Sequence, residues 1–278
     1  MRSFFSVSGD TVSVTVEKNR GSTPRDVGSW MLVSQSSIFR TIGGGVLEYS
    51  AVDKARILLA GEDVSDEMFV TLGPDTGQCC GGQVTLSLKR LDKIGVAEIV
   101  DLLDKEISNR PNVYVFGAGH VGKCLVETLF LLPVNPVLVD GRSSELALAP
   151  KGVETHLTAM PEEVVRAAPN GSAFIVLTHD HALDFLIVRE ALARTDACYI
   201  GMIGSKTKRA RLSRWLTDVE GSSDKLKKLI CPIGSTISKD KRPEAIACFV
   251  AAEVLAHIGA YDQRPDDHFN DALRLEEA

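Results

Sequence analysis

The chain has 278 residues, 44% hydrophobic and 24% charged, a balance that allows two folded domains and excludes a disordered or collagen-like polymer. A net charge of −6 argues against nucleic acid as the main partner. No uninterrupted apolar run reaches the roughly 20 residues of a membrane span, Met1-Arg2-Ser3-Phe4-Phe5 lacks a signal-peptide core, and six cysteines without disulfide-like spacing read as reduced thiols, so a soluble cytoplasmic protein without a membrane partner is expected.

Residues 10–18 alternate, with Val12, Val14 and Val16 on one face and Ser13, Thr15 and Glu17 on the other, the pattern of a half-buried strand. The turn Gly21-Ser22-Thr23-Pro24-Arg25 follows, and residues 30–33 and 38–41 read as two more strands. Gly43, Gly44 and Gly45 then open a helical pattern carried by Val46, Ala51, Val52, Ala55, Leu58 and Leu59, with Glu48 in its first turns. Three glycines at a helix start are costly in backbone entropy. They point to close approach of a ligand, with the free N–H groups as an anion site, or to a tight turn packed against a strand.

Residues 68–72 and 84–91 are further strands, separated by a loop that contains Gln78-Cys79-Cys80-Gly81-Gly82. The vicinal cysteines have neither a CxxC partner nor a ligand cluster at zinc spacing. Flanking glycines leave their backbone bare, which favours reactive or ligating thiols over buried small residues. Residues 93–109 read as an amphipathic helix through Ile94, Ile99, Leu102, Leu103 and Ile107, and Asn109-Arg110-Pro111 marks a boundary.

Residues 112–142 carry the pattern of a nucleotide-binding βαβ unit. A β-favouring run ending at Phe116 leads into Gly117-Ala118-Gly119-His120-Val121-Gly122, then an apolar helical stretch, a second β run and Asp140. Gly117 permits the turn, Gly119 the approach of a pyrophosphate, and Gly122 close helix–strand packing, while Asp140 suits a ribose hydroxyl. His120 stands where it would touch a ligand phosphate or cap the turn, and Arg142 where it would reach a phosphate or stay solvated.

Strands over 153–157, 173–178 and 198–203 alternate with helical patterns, so a mostly parallel sheet covered on both faces is expected. His179 and His181 follow the fourth strand and suit polar ligand contact or helix capping better than a metal, for lack of a third ligand. Asp184, Arg189 and Glu190 read as solvated charges, and so does most of the series Lys206, Lys208, Arg209, Arg211 and Arg214. Ser205 and Lys206 at that helix start are placed to meet an anion. Residues 245–257 are small and apolar on a broad face, as core or subunit packing requires, and a polar tail follows.

The expected fold class is therefore α/β, a Rossmann-type parallel-sheet domain over 111–260 preceded by a smaller α+β domain over 1–92. A linker helix covers 93–110 and a tail 261–278.

With these segments together, the chain resembles the xanthine dehydrogenase accessory proteins of the XdhC/CoxI family across nearly its whole length. The resemblance rests on Gly21 to Arg25 with residues 30–33, Thr41 to Glu48, and Leu72-Gly73-Pro74 with residues 77–82. In the second half it rests on residues 116–122, 139–142, 177–184, 201–206, 232–234 and 243–246. One departure is the segment from Ser235 to Lys241, where the family has a hydrophobic, glycine-containing link.

The resemblance implies a chaperone that binds molybdenum cofactor (molybdopterin), protects it, supports its sulfuration and inserts it into a xanthine dehydrogenase-type apoenzyme. A cysteine desulfurase is the implied sulfur source, and a homo-oligomer is expected. The expected cofactor-binding residues are Gly43, Gly44, Gly45, Glu48, Gln78, Cys79, Cys80, Gly81 and Gly82 in the first domain. In the second they are Gly117, Gly119, His120, Gly122, Asp140, Arg142 and His179, where the Rossmann turn also suits a nucleotide or dinucleotide. No catalytic residue and no metal ligand is assigned. Two alternatives are an NAD(P)-dependent oxidoreductase using the Gly117–Asp140 fingerprint and a persulfide-transferring enzyme using Cys79 or Cys80.

Overall fold

The computed structural model describes residues 9–62, 64–73, 81–234 and 240–262, together with Phe4. Gln78, Cys79 and Cys80 lie outside the described residues, as do most of the departure at 235–241 and the tail beyond residue 262. The chain divides into two units, Met1–Asp104 and Lys105–Ala278, and the division falls inside the helix expected to link them.

The first unit is a five-stranded antiparallel sheet in the order β3-β2-β1-β5-β4. Its centre is β1 (Val12–Arg20), flanked by β2 (Trp30–Val33) and β5 (Gln83–Arg90), with β3 (Ile38–Arg40) and β4 (Glu67–Thr71) at the edges. Alternation along β1 puts Val12, Val14 and Val16 on one face, and Val84, Leu86 and Leu88 of β5 join them. Helix α1 (Gly45–Leu59) covers that face with Leu47, Ala51, Val52, Ala55 and Leu59. Each large side chain so buried contributes about 1.5–3 kcal/mol. Helix α2 (Lys93–Ser108) buries only Gly95 and Leu103, while Ile94, Leu102 and Ile107 of its apolar stripe are exposed.

The second unit is a five-stranded parallel sheet in the order β10-β9-β6-β7-β8. The strands are β6 (Asn112–Phe116), β7 (Asn135–Asp140), β8 (Glu154–Leu157), β9 (Ala173–Val176) and β10 (Tyr199–Met202). The chain runs outward from β6 to β8, returns, and lays β9 and β10 on the other side. Strand order therefore reverses between β6 and β9, and in open α/β sheets such a reversal opens a crevice at the strand C-terminal ends.

One face is packed by α3 (His120–Phe130) and α8 (Pro243–Asp262), whose Leu125, Val126, Leu129, Val250 and Val254 meet Val113, Val115 and Ile175. The other is covered by α5 (Pro161–Ala167), α6 (His181–Ala193) and α7 (Lys206–Glu220) over Val137, Val139, Phe174, Val176 and Met202; the short α4 (Ser143–Leu146) follows β7. By length and composition α8 is apolar enough to cross a membrane, contrary to the count of uninterrupted apolar runs. Its Ala247, Val250, Ala251, Val254 and Ile258 are instead buried in the core of this unit.

Candidate functional site

The crevice forms where three strands end. After Phe116, the Gly117 N–H donates to the Val139 carbonyl at 2.8 Å, so the turn stays tied to β7. Gly117 has φ +121, and a Cβ there would overlap the Leu177 carbonyl oxygen just past β9. A Cβ on Gly122 would overlap the Gly117 carbonyl oxygen. Both glycines are thus required by the packing of the turn itself. Gly119 differs, because its φ of −72 suits any residue and a Cβ there would meet nothing within 4 Å. The protein's own packing therefore gives no reason for glycine at 119, whereas approach of a ligand to the bare helix start does.

Asp140 ends β7 and is buried. Its Oδ2 accepts from the Ala118 N–H at 2.7 Å and from Arg142 Nη2 at 2.8 Å, and its Oδ1 from the Arg142 N–H and Nε, each at 2.9 Å. Burial alone would raise its pKa. The Arg142 guanidinium and the two backbone N–H groups outweigh it and hold the carboxyl at about 2. The carboxylate is fully engaged, so a ribose hydroxyl reaching it must displace one of these donors.

Gly117, Asp140 and Arg142 border a cavity of about 270 Å³ that also takes in Thr158, Pro161, Thr178, His179 and Leu183, whereas Gly119 and Gly122 do not line it. The structure thus brings Gly117, Asp140, Arg142 and His179 together. His120 is exposed at the first turn of α3, beside Gly119. Thr158 carries no motif that would mark it in the sequence, and Thr178 stands in the 177–184 segment without a role assigned from it; both reach the cavity because β8 and β9 end beside β7 and β6.

His179 borders this cavity and His181 a different one over β10, which is why two histidines one apart do not converge. Among the described residues no group of three or more His, Cys, Asp or Glu is placed to hold a metal. Burial pushes the thiols of Cys124 and Cys231 up, away from the thiolate form that reacts.

The solvated reading of three α6 charges needs correction. Asp184 is fully buried and pairs with Lys208, Arg189 pairs with Glu220 at 2.7 Å, and Glu190 with Arg166 at 3.2 Å. Arg209 is likewise no free surface cation, since it donates to the Leu226 and Leu229 carbonyls at 2.8 and 2.6 Å. Ser205 does cap α7, accepting the Lys208 N–H at 3.2 Å.

In the first unit Gly43 and Gly82 both pack against the turn from Gly21 to Arg25. A Cβ on Gly43 would overlap Pro24, and one on Gly82 would overlap the Ser22 carbonyl oxygen. The N–H groups at the start of α1 already face an anion, the chain's own Glu48. Its Oε2 accepts from the Ile42 and Gly44 N–H groups, each at 3.2 Å, and from the Thr41 hydroxyl. Gly44 and Gly45 have positive φ, which the loop requires, and Gly81 is exposed.

Residues 113–254 match the model of the XdhC Rossmann domain, and residues 8–69 that of the XdhC and CoxI family. The chain belongs to the XdhC/CoxI family. The XdhC Rossmann match takes in every residue of the 270 Å³ cavity, and the XdhC and CoxI match contains the Glu48 loop. The run from Gln78 to Gly82 lies between the two matched segments.

The chain is also 24% identical over 249 residues to an uncharacterised protein, YqeB, of Escherichia coli strain K12, covering 85% of this chain and 41% of YqeB. It therefore spans about two-fifths of that relative's length. A crystal structure described as a xanthine dehydrogenase from Bacillus halodurans superposes with a TM-score of 0.79 at 17% identity, covering 96% of each chain, which is a likeness of fold.

Proposed function

We propose that this protein is a molybdenum cofactor chaperone of the cytoplasm. In this reading it binds the cofactor, protects it, supports its sulfuration with sulfur from a cysteine desulfurase, and inserts it into a xanthine dehydrogenase-type apoenzyme, acting as a homo-oligomer. The observation that carries the reading is Gly119, a glycine at an open helix start that neither backbone conformation nor internal packing requires. Molybdopterin ends in a phosphate, and a bare helix N-terminus beside a cavity of about 270 Å³ is suited to receive one. Gly119 and the first turn of α3 would hold the phosphate, with Arg142 and His179 at the cavity wall. When bound, the cofactor brings its metal and soft sulfur ligands, and Cys79 and Cys80 are the thiols whose chemistry matches them.

The test is anaerobic purification followed by measurement of molybdenum, pterin and nicotinamide in the released ligand, for the parent, for Gly119→Val and for Cys79→Ala/Cys80→Ala. Molybdenum and pterin should accompany the parent and fall in Gly119→Val. Nicotinamide in their place would establish the NAD(P)-dependent oxidoreductase. Full retention and delivery of active cofactor by the double cysteine variant would remove both the ligating and the persulfide roles.

A further inference from the structure

Thr178 borders two cavities. Beyond the one at the glycine turn lies a second, of about 560 Å³, over the ends of β9 and β10. Phe185 and Ile203 form its apolar wall, and His181, Ser205, Lys208 and Arg211 its polar one. Lys208 Nζ pairs with Asp184 Oδ2 and donates to the Ile203 carbonyl at 3.0 Å, which leaves one ammonium hydrogen. Asp184 is fully buried, and its Oδ1 accepts from the Thr178 hydroxyl at 2.7 Å and the Thr178 N–H at 3.0 Å. The His181 Nδ1 lies 3.9 Å from Asp184 Oδ2.

A buried ion pair is a poor source of stability, since an apolar pair of similar volume often serves as well or better. Here it fixes an ammonium at a cavity wall. Lys208 cancels the Asp184 charge, so Arg211 leaves the wall net positive, and the positive end of α7 begins at the same place.

We propose that this second cavity is a phosphate subsite, which takes the phosphate of a small phosphate ester on Lys208, Arg211 and His181 with the organic body against Phe185 and Ile203. The site is separate from the Gly119 helix start, although Thr178 makes the two cavities neighbours.

The experiment is calorimetric titration of the full chain at low salt with inorganic phosphate and, separately, with adenosine monophosphate. The variants are Arg211→Gln, His181→Gln and Gly119→Val, each checked for an unchanged melting temperature and far-UV spectrum. Arg211 and His181 are exposed, so their replacement leaves the core intact. Expected are adenosine monophosphate binding tighter than inorganic phosphate, and a roughly tenfold loss of affinity for both in Arg211→Gln, with a smaller loss in His181→Gln. Affinity equal to the parent's in Arg211→Gln, or no binding by the parent, overturns the subsite. Loss confined to Gly119→Val also overturns it while leaving the proposed function standing. Loss confined to the Arg211 and His181 variants supports the subsite and counts against a phosphate at the glycine turn. Equal affinity for the two probes overturns the assignment to an ester.

Discussion

Arg142 grips Asp140 at both carboxylate oxygens, Nε on Oδ1 at 2.9 Å and Nη2 on Oδ2 at 2.8 Å, from only two residues along the chain. The acid that a nucleotide-binding unit offers to a ribose is here already clamped by a planar guanidinium in the bidentate geometry such pairs favour. Ligand access to this end of the cavity is therefore coupled to movement of Arg142.

The clamp has a pH signature. Because the folded-state pKa of Asp140, about 2, lies below the ordinary carboxylate value near 4, its contribution is complete above that value and is lost as pH falls toward 2. Asp140→Asn should cost roughly 1–2 kcal/mol at pH 7. The gap in urea-unfolding free energy between parent and variant should narrow from pH 5 to pH 2. A gap independent of pH would show that the ionised clamp is not its source.

The three glycines of the turn should separate into two kinds. Gly117→Ala and Gly122→Ala place a methyl group against the Leu177 and Gly117 carbonyls and should lower stability by about 1–3 kcal/mol or more. Gly119→Ala meets no neighbour and should change stability by less than about 1 kcal/mol, while Gly119→Val weakens ligand binding. Chemical denaturation of the three alanine variants checks the first statement. Equal destabilisation of all three would contradict the division.

Removing Glu48 should uncover an anion site. Glu48→Ala leaves the Ile42 and Gly44 N–H groups without their acceptor and should cost about 1–3 kcal/mol. Sulfate at tens of millimolar should then raise the melting temperature of the variant more than that of the parent. An identical sulfate response in both proteins would mean that the loop does not hold its shape without the carboxylate.

The Asp184–Lys208 pair should behave as a unit. Asp184→Leu and Lys208→Met each leave a buried charge unpaired and should cost about 3–5 kcal/mol. The double variant should lose much less than the sum of the two. Additive losses in urea titrations would rule out coupling through the ion pair.

Strands and helices were legible because periodicity reports burial directly. The alternation of Val12, Val14 and Val16 and the short apolar runs of the parallel sheet follow from which faces meet the core. The membrane-length apolar character of α8 was not, since interrupting polar residues such as Glu253 break each run without breaking the face that packs.

Charges were the least legible. Asp184 looks like any helix-surface acid in the sequence, and it becomes a buried partner only because α7 brings Lys208 across from 24 residues away. The glycine-rich helix start before Glu48 carries the right signal for an anion, but sequence spacing cannot tell an external anion from the chain's own carboxylate folding back.

What the sequence by itself determined is therefore local: the βαβ unit around Gly117 and Asp140, the alternating strands before it, and the family motifs. These follow from backbone freedom at glycine and from side-chain periodicity, both properties of neighbouring residues. Only the tertiary structure decided which glycines are needed for internal packing and which leaves a helix start open. It also decided which carboxylates are already engaged, because both depend on atoms brought together from distant segments, such as Leu177 against Gly117 and Pro24 against Gly43.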